Sequence, residues 1–216
     1  MLARMKLYNY FRSSTSYRVR IVLALKGLPY EYLAVNLRGG EQQQADYLQA
    51  NPEGLVPLLV LADGRRLSQS MAIIEYLDEV HPEPALLPTD PLDRARVRAL
   101  MQIVACDVHP LDNLRVLKYL VHDMGVSHEA KDGWYRHWVR LGLQSFEAHL
   151  AEQPARFSHG DSPTLADCCL VPQVYNAQRM ACDLSGLPHV MRVFDACMAV
   201  PAFAQAHPSV CPDATP

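Results

Sequence analysis

The chain has 216 residues, half of them apolar, and a formal charge of −3 with its cationic side chains scattered rather than clustered. That composition supports a well-buried core, excludes a disordered chain and gives no electrostatic footprint for nucleic acid. No apolar run reaches membrane-spanning length, and the opening "MLARMKLYNYF" has neither the apolar stretch nor the cleavage site of a secretory leader, so a cytoplasmic protein without a membrane partner is expected.

In chain order, "KLYNY" predicts a short strand. Thr15 to Lys26 predicts a helix, from the spacing of Val19, Val22 and Leu23, stopped by Gly27 and barred from resuming by Pro29. "YEYLAV" alternates as a strand, "EQQQADYLQA" reads as one short polar helix, and "PLLVL" with "ADGRRLS" reads as two strands about a D-G turn. Ser68 or Gln69 opens a helix through "SQSMAIIEYLDEV" with Ala72, Ile73, Tyr76, Leu77 and Val80 on one face. The order is βαβαββα, and the four prolines of "HPEPALLPTDPL" mark a linker after it. Residues 1–82 are thus expected to form an α/β domain, 83–91 a linker and 92–216 an all-helical domain.

Beyond the linker, Leu92 to Val121 reads as one long helical segment interrupted at Pro110, whose missing N–H bends it beside His109 and Asn113. Glu129 to Ala151 predicts a helix with Trp134, Trp138 and Leu141 on one face and Val139, Leu143, Phe146 and Leu150 beside them, all read as core packing. "GDSPTLADCCLVPQV" opens a helix through a capping box of Thr164 and Asp167, a structural device and not a catalytic one. Short helices over "LPHVMRVFDACMAV" and "PAFAQAHP" close the chain. The six cysteines, all in the second half, form no C-x-x-C pairs and accompany no paired histidines, which predicts neither a metal site nor a disulfide framework.

The chemistry is concentrated in "FRSSTSYRVRIVLALKG". One hydroxyl before a helix is a cap, worth about 1 kcal/mol, but four hydroxyls, Ser13, Ser14, Thr15 and Ser16, precede or open this one. They sit where unpaired amides and the helix dipole favour negative charge. The stretch holds no cysteine, so a thiolate stabilised there must arrive on a ligand, whose free thiol titrates near about 8.5. Phosphate is the plainer alternative, but the glycines that wrap a phosphate are missing.

"YFRSSTSYRVRIVLALKGLPYEY" closely resembles the serine-rich signature of zeta-class glutathione transferases, whose usual form has a cysteine where this chain has Thr15. "NPEGLVPLL", "LSQSMAIIEYL" and "GDSPTLADCCLVPQVYNAQR" match the family in order, and "DVHPLDNLRVLKYL" resembles a helix of its isomerase members. The resemblance implies a thioredoxin-like N-terminal domain, an all-helical C-terminal domain and a homodimer. It implies glutathione as cofactor, with Ser13 holding the thiolate and Ser14 and Thr15 assisting. Val56 would pair with the tripeptide through its backbone beside a cis Pro57, and Gln69 and Ser70 would hold the γ-glutamyl carboxylate. His109 and Asn113, four apart, would face glutathione or substrate from one helix face, and Arg12 and Arg179 would face a dicarboxylate. The reaction implied is the cis–trans isomerisation of maleylacetoacetate to fumarylacetoacetate in tyrosine and phenylalanine breakdown. Isomerases of maleylpyruvate in gentisate breakdown share the fold and carry a threonine in a similar signature. A general conjugating transferase and a catalytically silent interaction module are the remaining readings. The intact set of Ser13, Val56, Pro57, Gln69, Ser70 and Arg179 speaks against the silent module, which has no need of a thiol site.

Overall fold

In a computed structural model the described residues are 4–215; Met1–Ala3, part of the opening stretch read as leaderless, lie outside them. The chain divides into two compact units: one runs to Ala85 and takes in the chain again from Ala199, and the other is Leu86–Met198. The closing segment, assigned by its helical pattern to the helical domain, thus falls within the unit that holds the sheet.

In that first unit the order is β1 (Met5–Asn9), α1 (Ser14–Leu25), β2 (Tyr30–Ala34), α2 (Ala45–Ala50), β3 (Leu58–Val60), β4 (Arg66–Ser68) and α3 (Ser70–Val80). The strands form one mixed sheet in the order β2-β1-β3-β4, with β1 parallel to β2 and antiparallel to β3. Register pairs Leu7 with Tyr32 and with Leu59, which puts the fully buried Leu7 and Leu59 side by side. α1 stops as expected. Gly27 takes a φ of +62°, and the amides of Leu28 and Gly27 return to the carbonyls of Leu23 and Ala24, the paired closure that favours glycine.

Two expectations change here. "EQQQADYLQA" is not one helix: a 3₁₀ turn, Glu41–Gln43, is separated from α2 by Gln44 in extended geometry. The buried face of α3 is Ser70, Ile73, Ile74, Leu77 and Asp78, with Ala72 and Val80 exposed. The reason is a buried charge. Lys26 Nζ lies 2.6 Å from Asp78 Oδ1 and donates also to the carbonyls of His81 and Pro84, so a position that reads as polar is turned inward by its partner.

The second unit is helical: α4 (Pro91–Gln102), a π-helical stretch Ile103–Val108, α5 (His109–Asp112), α6 (Leu114–His122), α7 (His128–Glu152), α8 (Leu165–Arg179) and α9 (Pro188–Met198). The break in the long segment is not at Pro110, which sits in the tolerated first turn of α5. It is at Asn113, whose ψ of 157° ends one helix and whose side chain caps the next. Trp134 and Trp138 are half-buried rather than core, stacked edge to face at 5.6 Å, and Leu141 is exposed; Val139, Leu143, Phe146 and Leu150 are buried. Gly142 explains how α7 passes the π-helical stretch: a Cβ there would lie 2.0 Å from Val108 Cγ2. The capping box at α8 forms, with Asp167 Oδ2 accepting from the Thr164 amide at 2.7 Å and its Oδ1 from the Ser158 amide at 2.8 Å. Burial outweighs these donors and holds the Asp167 carboxyl above its ordinary range. α10 (Pro201–Gln205) belongs to the closing segment of the first unit.

Candidate active site

The turn from β1 into α1 is fixed from both sides. Phe11 donates its amide to Asp213 Oδ2 at 3.1 Å, and its carbonyl accepts from Arg20 NH2 at 3.1 Å. Arg20 is buried and bonds Asn9 Oδ1 and the Ala206 carbonyl as well, while Tyr32 donates its hydroxyl to Asp213. The closing segment therefore clamps the turn that carries Arg12 and Ser13. Sequence reasoning missed both clamping residues. Arg20 reads as one of the chain's scattered cations, and Asp213 lies 202 residues from its partner with no local signal.

Ser13 is the N-cap of α1: its Oγ accepts from the Ser16 amide at 3.2 Å. The same Oγ lies 2.8 Å from Thr15 Oγ1, and Thr15 donates to the Val56 carbonyl at 3.1 Å. Each hydroxyl has one proton, so with the Thr15 proton on Val56 the bond between them is made by the Ser13 proton. Ser13, Thr15 and Val56 thus form a short relay, and the Val56–Pro57 bond beside it is cis. Ser14 is the buried first residue of α1. Ser16 is fully buried, its Oγ without a partner. Arg12 is half-buried, with its guanidinium 4.9 Å from the Phe11 ring centre.

At the start of α3, Gln69 is held at a φ of +66°, a left-handed value rare outside glycine. Its side-chain amide donates to Glu53 Oε2 at 2.6 Å, and Ser68 donates to the other Glu53 oxygen at 2.6 Å. One N–H of the Gln69 side-chain amide is in this way directed at Glu53, and Ser70 and the helix amides are further donors of this corner. Ser70 Oγ accepts from Arg18 NH1 at 3.3 Å.

In the helical unit, His109 Nδ1 stands 3.4 Å from the buried Asp112 Oδ1 without hydrogen-bond alignment, and Gln173 Nε2 donates to Asp112 Oδ2 at 2.9 Å. Trp134 Nε1 donates to the Leu111 carbonyl at 2.8 Å, so α5 is held from α7 as well as α8. His109 and Asn113 do not share a continuous helix face. Asn113 Oδ1 accepts from the Val116 amide, and its Nδ2 donates to the carbonyls of His109 and Pro110, so its amide is spent on the backbone. Arg179 is exposed in the last turn of α8, near enough that its charge opposes the upward shift which burial imposes on the Tyr135 phenol. Among the described residues no three His, Cys, Asp or Glu side chains gather as metal ligands, and no helix is long and apolar enough to cross a membrane.

The glutathione S-transferase N-terminal domain model matches residues 12–80 and the C-terminal domain model matches 139–196. A maleylacetoacetate isomerase of Pseudomonas aeruginosa is 51% identical over 97% of this chain and 98% of its own. The holo structure of a maleylpyruvate isomerase, described as a bacterial zeta-class glutathione S-transferase, superposes with a TM-score of 0.95 at 48% identity over 97% of this chain and all of that one. A maleylacetoacetate isomerase of Anaeromyxobacter dehalogenans holding dicarboxyethyl glutathione and citrate in its active site matches with a TM-score of 0.88 at 48% identity, over 99% of this chain and 98% of that one. With the signature hydroxyls at the start of α1 and both domain models matched in order, the chain belongs to the glutathione S-transferase family, in its zeta class.

Proposed function

We propose that the protein is a glutathione-dependent cis–trans isomerase of a maleyl-type diacid, with maleylacetoacetate as its substrate. The observation that carries this reading is the Ser13–Thr15–Val56 relay at a helix N-terminus, in a chain whose relatives are named as isomerases of such diacids. The fit to glutathione rests on donors with no protein acceptor: the Ser70 hydroxyl proton and two nitrogens of the buried Arg18. Bound glutathione supplies a thiolate, which joins and then leaves the substrate double bond so that the carbons can rotate between.

The protein's part is to hold charge. Ser13 turns its proton from Thr15 to the thiolate, which lowers the thiol pKa without acting as a base. Ser14 and Thr15 fix the turn, the Val56 backbone beside Pro57 pairs with the tripeptide, and Gln69 and Ser70 receive the γ-glutamyl end. Arg12 and Arg179 take the substrate carboxylates, because a planar guanidinium offers a two-pronged donor to each. His109 and Asn113 serve from α5 and its end, with Asn113 acting through the backbone it caps. The enzyme works as a homodimer in the cytoplasm.

Thr15 favours a second reading, in which maleylpyruvate is the preferred diacid, as in the structural relative of that name. Specificity constants for both diacids, measured with and without glutathione, decide between them. A higher value for maleylacetoacetate supports the first reading and a higher value for maleylpyruvate replaces it. Arg179→Met should raise the KM for the diacid about tenfold while leaving glutathione affinity near the parent's; the opposite pattern removes Arg179 from the substrate's partners.

A further inference from the structure

Arg18 lies in the middle of α1 with 1% of its surface exposed. Its NH1 donates to Ser70 Oγ, and its Nε and NH2 have no hydrogen-bond partner. A permanently charged guanidinium left with unpaired donors in the interior is costly, and no carboxylate of the described residues pairs with it. It points at the first residue of α3, an eleven-residue helix whose N-terminus favours negative charge. Ser70 is itself buried, and because its oxygen accepts from Arg18, its own proton is left to point away from the guanidinium.

We propose that Arg18 is a positioning residue for an incoming carboxylate: it fixes and polarises the Ser70 hydroxyl as a donor and supplies the buried positive charge that the carboxylate completes. Resting on the reading that glutathione binds here, the carboxylate is the α-carboxylate of its γ-glutamyl residue. Glu53, which holds Ser68 and Gln69 at the same helix start, puts a negative charge beside this corner, so a bare anion is a poorer fit than a zwitterion carrying its own ammonium.

The test compares binding of glutathione with that of 4-aminobutanoyl-cysteinyl-glycine, which lacks only this carboxylate, and of glutaryl-cysteinyl-glycine, which lacks only the ammonium, by calorimetry on the full chain. The parent should lose at least tenfold in affinity without the carboxylate. Arg18→Met should bind glutathione and the decarboxylated analogue within about threefold of each other, while its loss with the glutaryl analogue matches the parent's. Ser70→Ala, which leaves the buried guanidinium in place, should narrow the carboxylate preference in the same way, and it carries the test if Arg18→Met does not fold. A folded Arg18→Met, or Ser70→Ala, that keeps the parent's full preference overturns the proposal. So does a parent that binds glutathione and the decarboxylated analogue equally. A parent that binds no glutathione instead removes the reading on which the proposal stands.

Discussion

Ser13 has one proton and two claimants for it. Within the chain it goes to Thr15, whose own proton goes to Val56, and a thiolate must outbid a neutral hydroxyl to take it. A charged acceptor does so, since hydrogen bonds to charged groups are worth about 1.5–3 kcal/mol against roughly 1 for neutral ones. Ser13→Ala should therefore raise the pKa of bound glutathione by about one to two units, read from the ultraviolet thiolate absorbance against pH, and also cost about 1 kcal/mol of stability through the lost cap. An unchanged titration would contradict the assignment. Ser16→Ala makes the contrast: its hydroxyl is buried without a partner, so removal should leave the titration alone and hold or raise the melting temperature. The four hydroxyls looked alike in sequence. What separates them is which has an acceptor within reach, and that depends on Val56, 41 residues away.

At the scale of elements, the short helix α5 is placed by what passes it. Gly142 lets α7 approach Val108 so closely that Gly142→Ala puts a methyl onto a stiff, branched side chain. That substitution should cost about 1–3 kcal/mol, although alanine suits a helix interior better than glycine, and Val108→Ala in the same chain should recover most of it. Denaturant melts of the three variants check this; a Gly142→Ala chain as stable as the parent would show that α7 yields there.

The closing segment offers a second check. His207 Nδ1 accepts from the Ser209 amide at 3.2 Å, and burial, with the Arg20 charge, holds its pKa below the ordinary value. With the folded value lowered, this contribution to stability is present above the unfolded histidine pKa, near about 6.5, and is lost as pH falls through the folded one. His207→Gln should flatten the acid limb of melting temperature against pH from about 6.5 downward, and an unchanged limb would count against it.

These elements also mark how far the sequence could be read. The strands, α1 with its glycine stop and the capping box of α8 follow from local spacing and punctuation. The inward turn of Asp78 and the place of residues 199–215 do not, because each is decided by a distant partner, Lys26 and the Phe11 turn that Asp213 holds; the break at Asn113 is local, a cap on the Val116 amide hidden by helical spacing on both sides of it.

Over the whole molecule, Ser13, Val56, Pro57, Gln69 and Ser70, proposed above for the thiol and the γ-glutamyl end, lie in the sheet-bearing unit, while His109, Asn113 and Arg179 lie in the helical one. On that proposal the thiol site is built once, on a strand-to-helix turn, while other side chains set the substrate. In the proposed reaction the thiol is borrowed and returned. The direct measurement follows maleylacetoacetate isomerisation by purified protein while free glutathione is assayed in the same mixture. No turnover is expected without added glutathione, and with it many turnovers per glutathione at a constant thiol concentration. Full activity in thiol-free buffer, or loss of one glutathione for each substrate converted, would contradict that expectation.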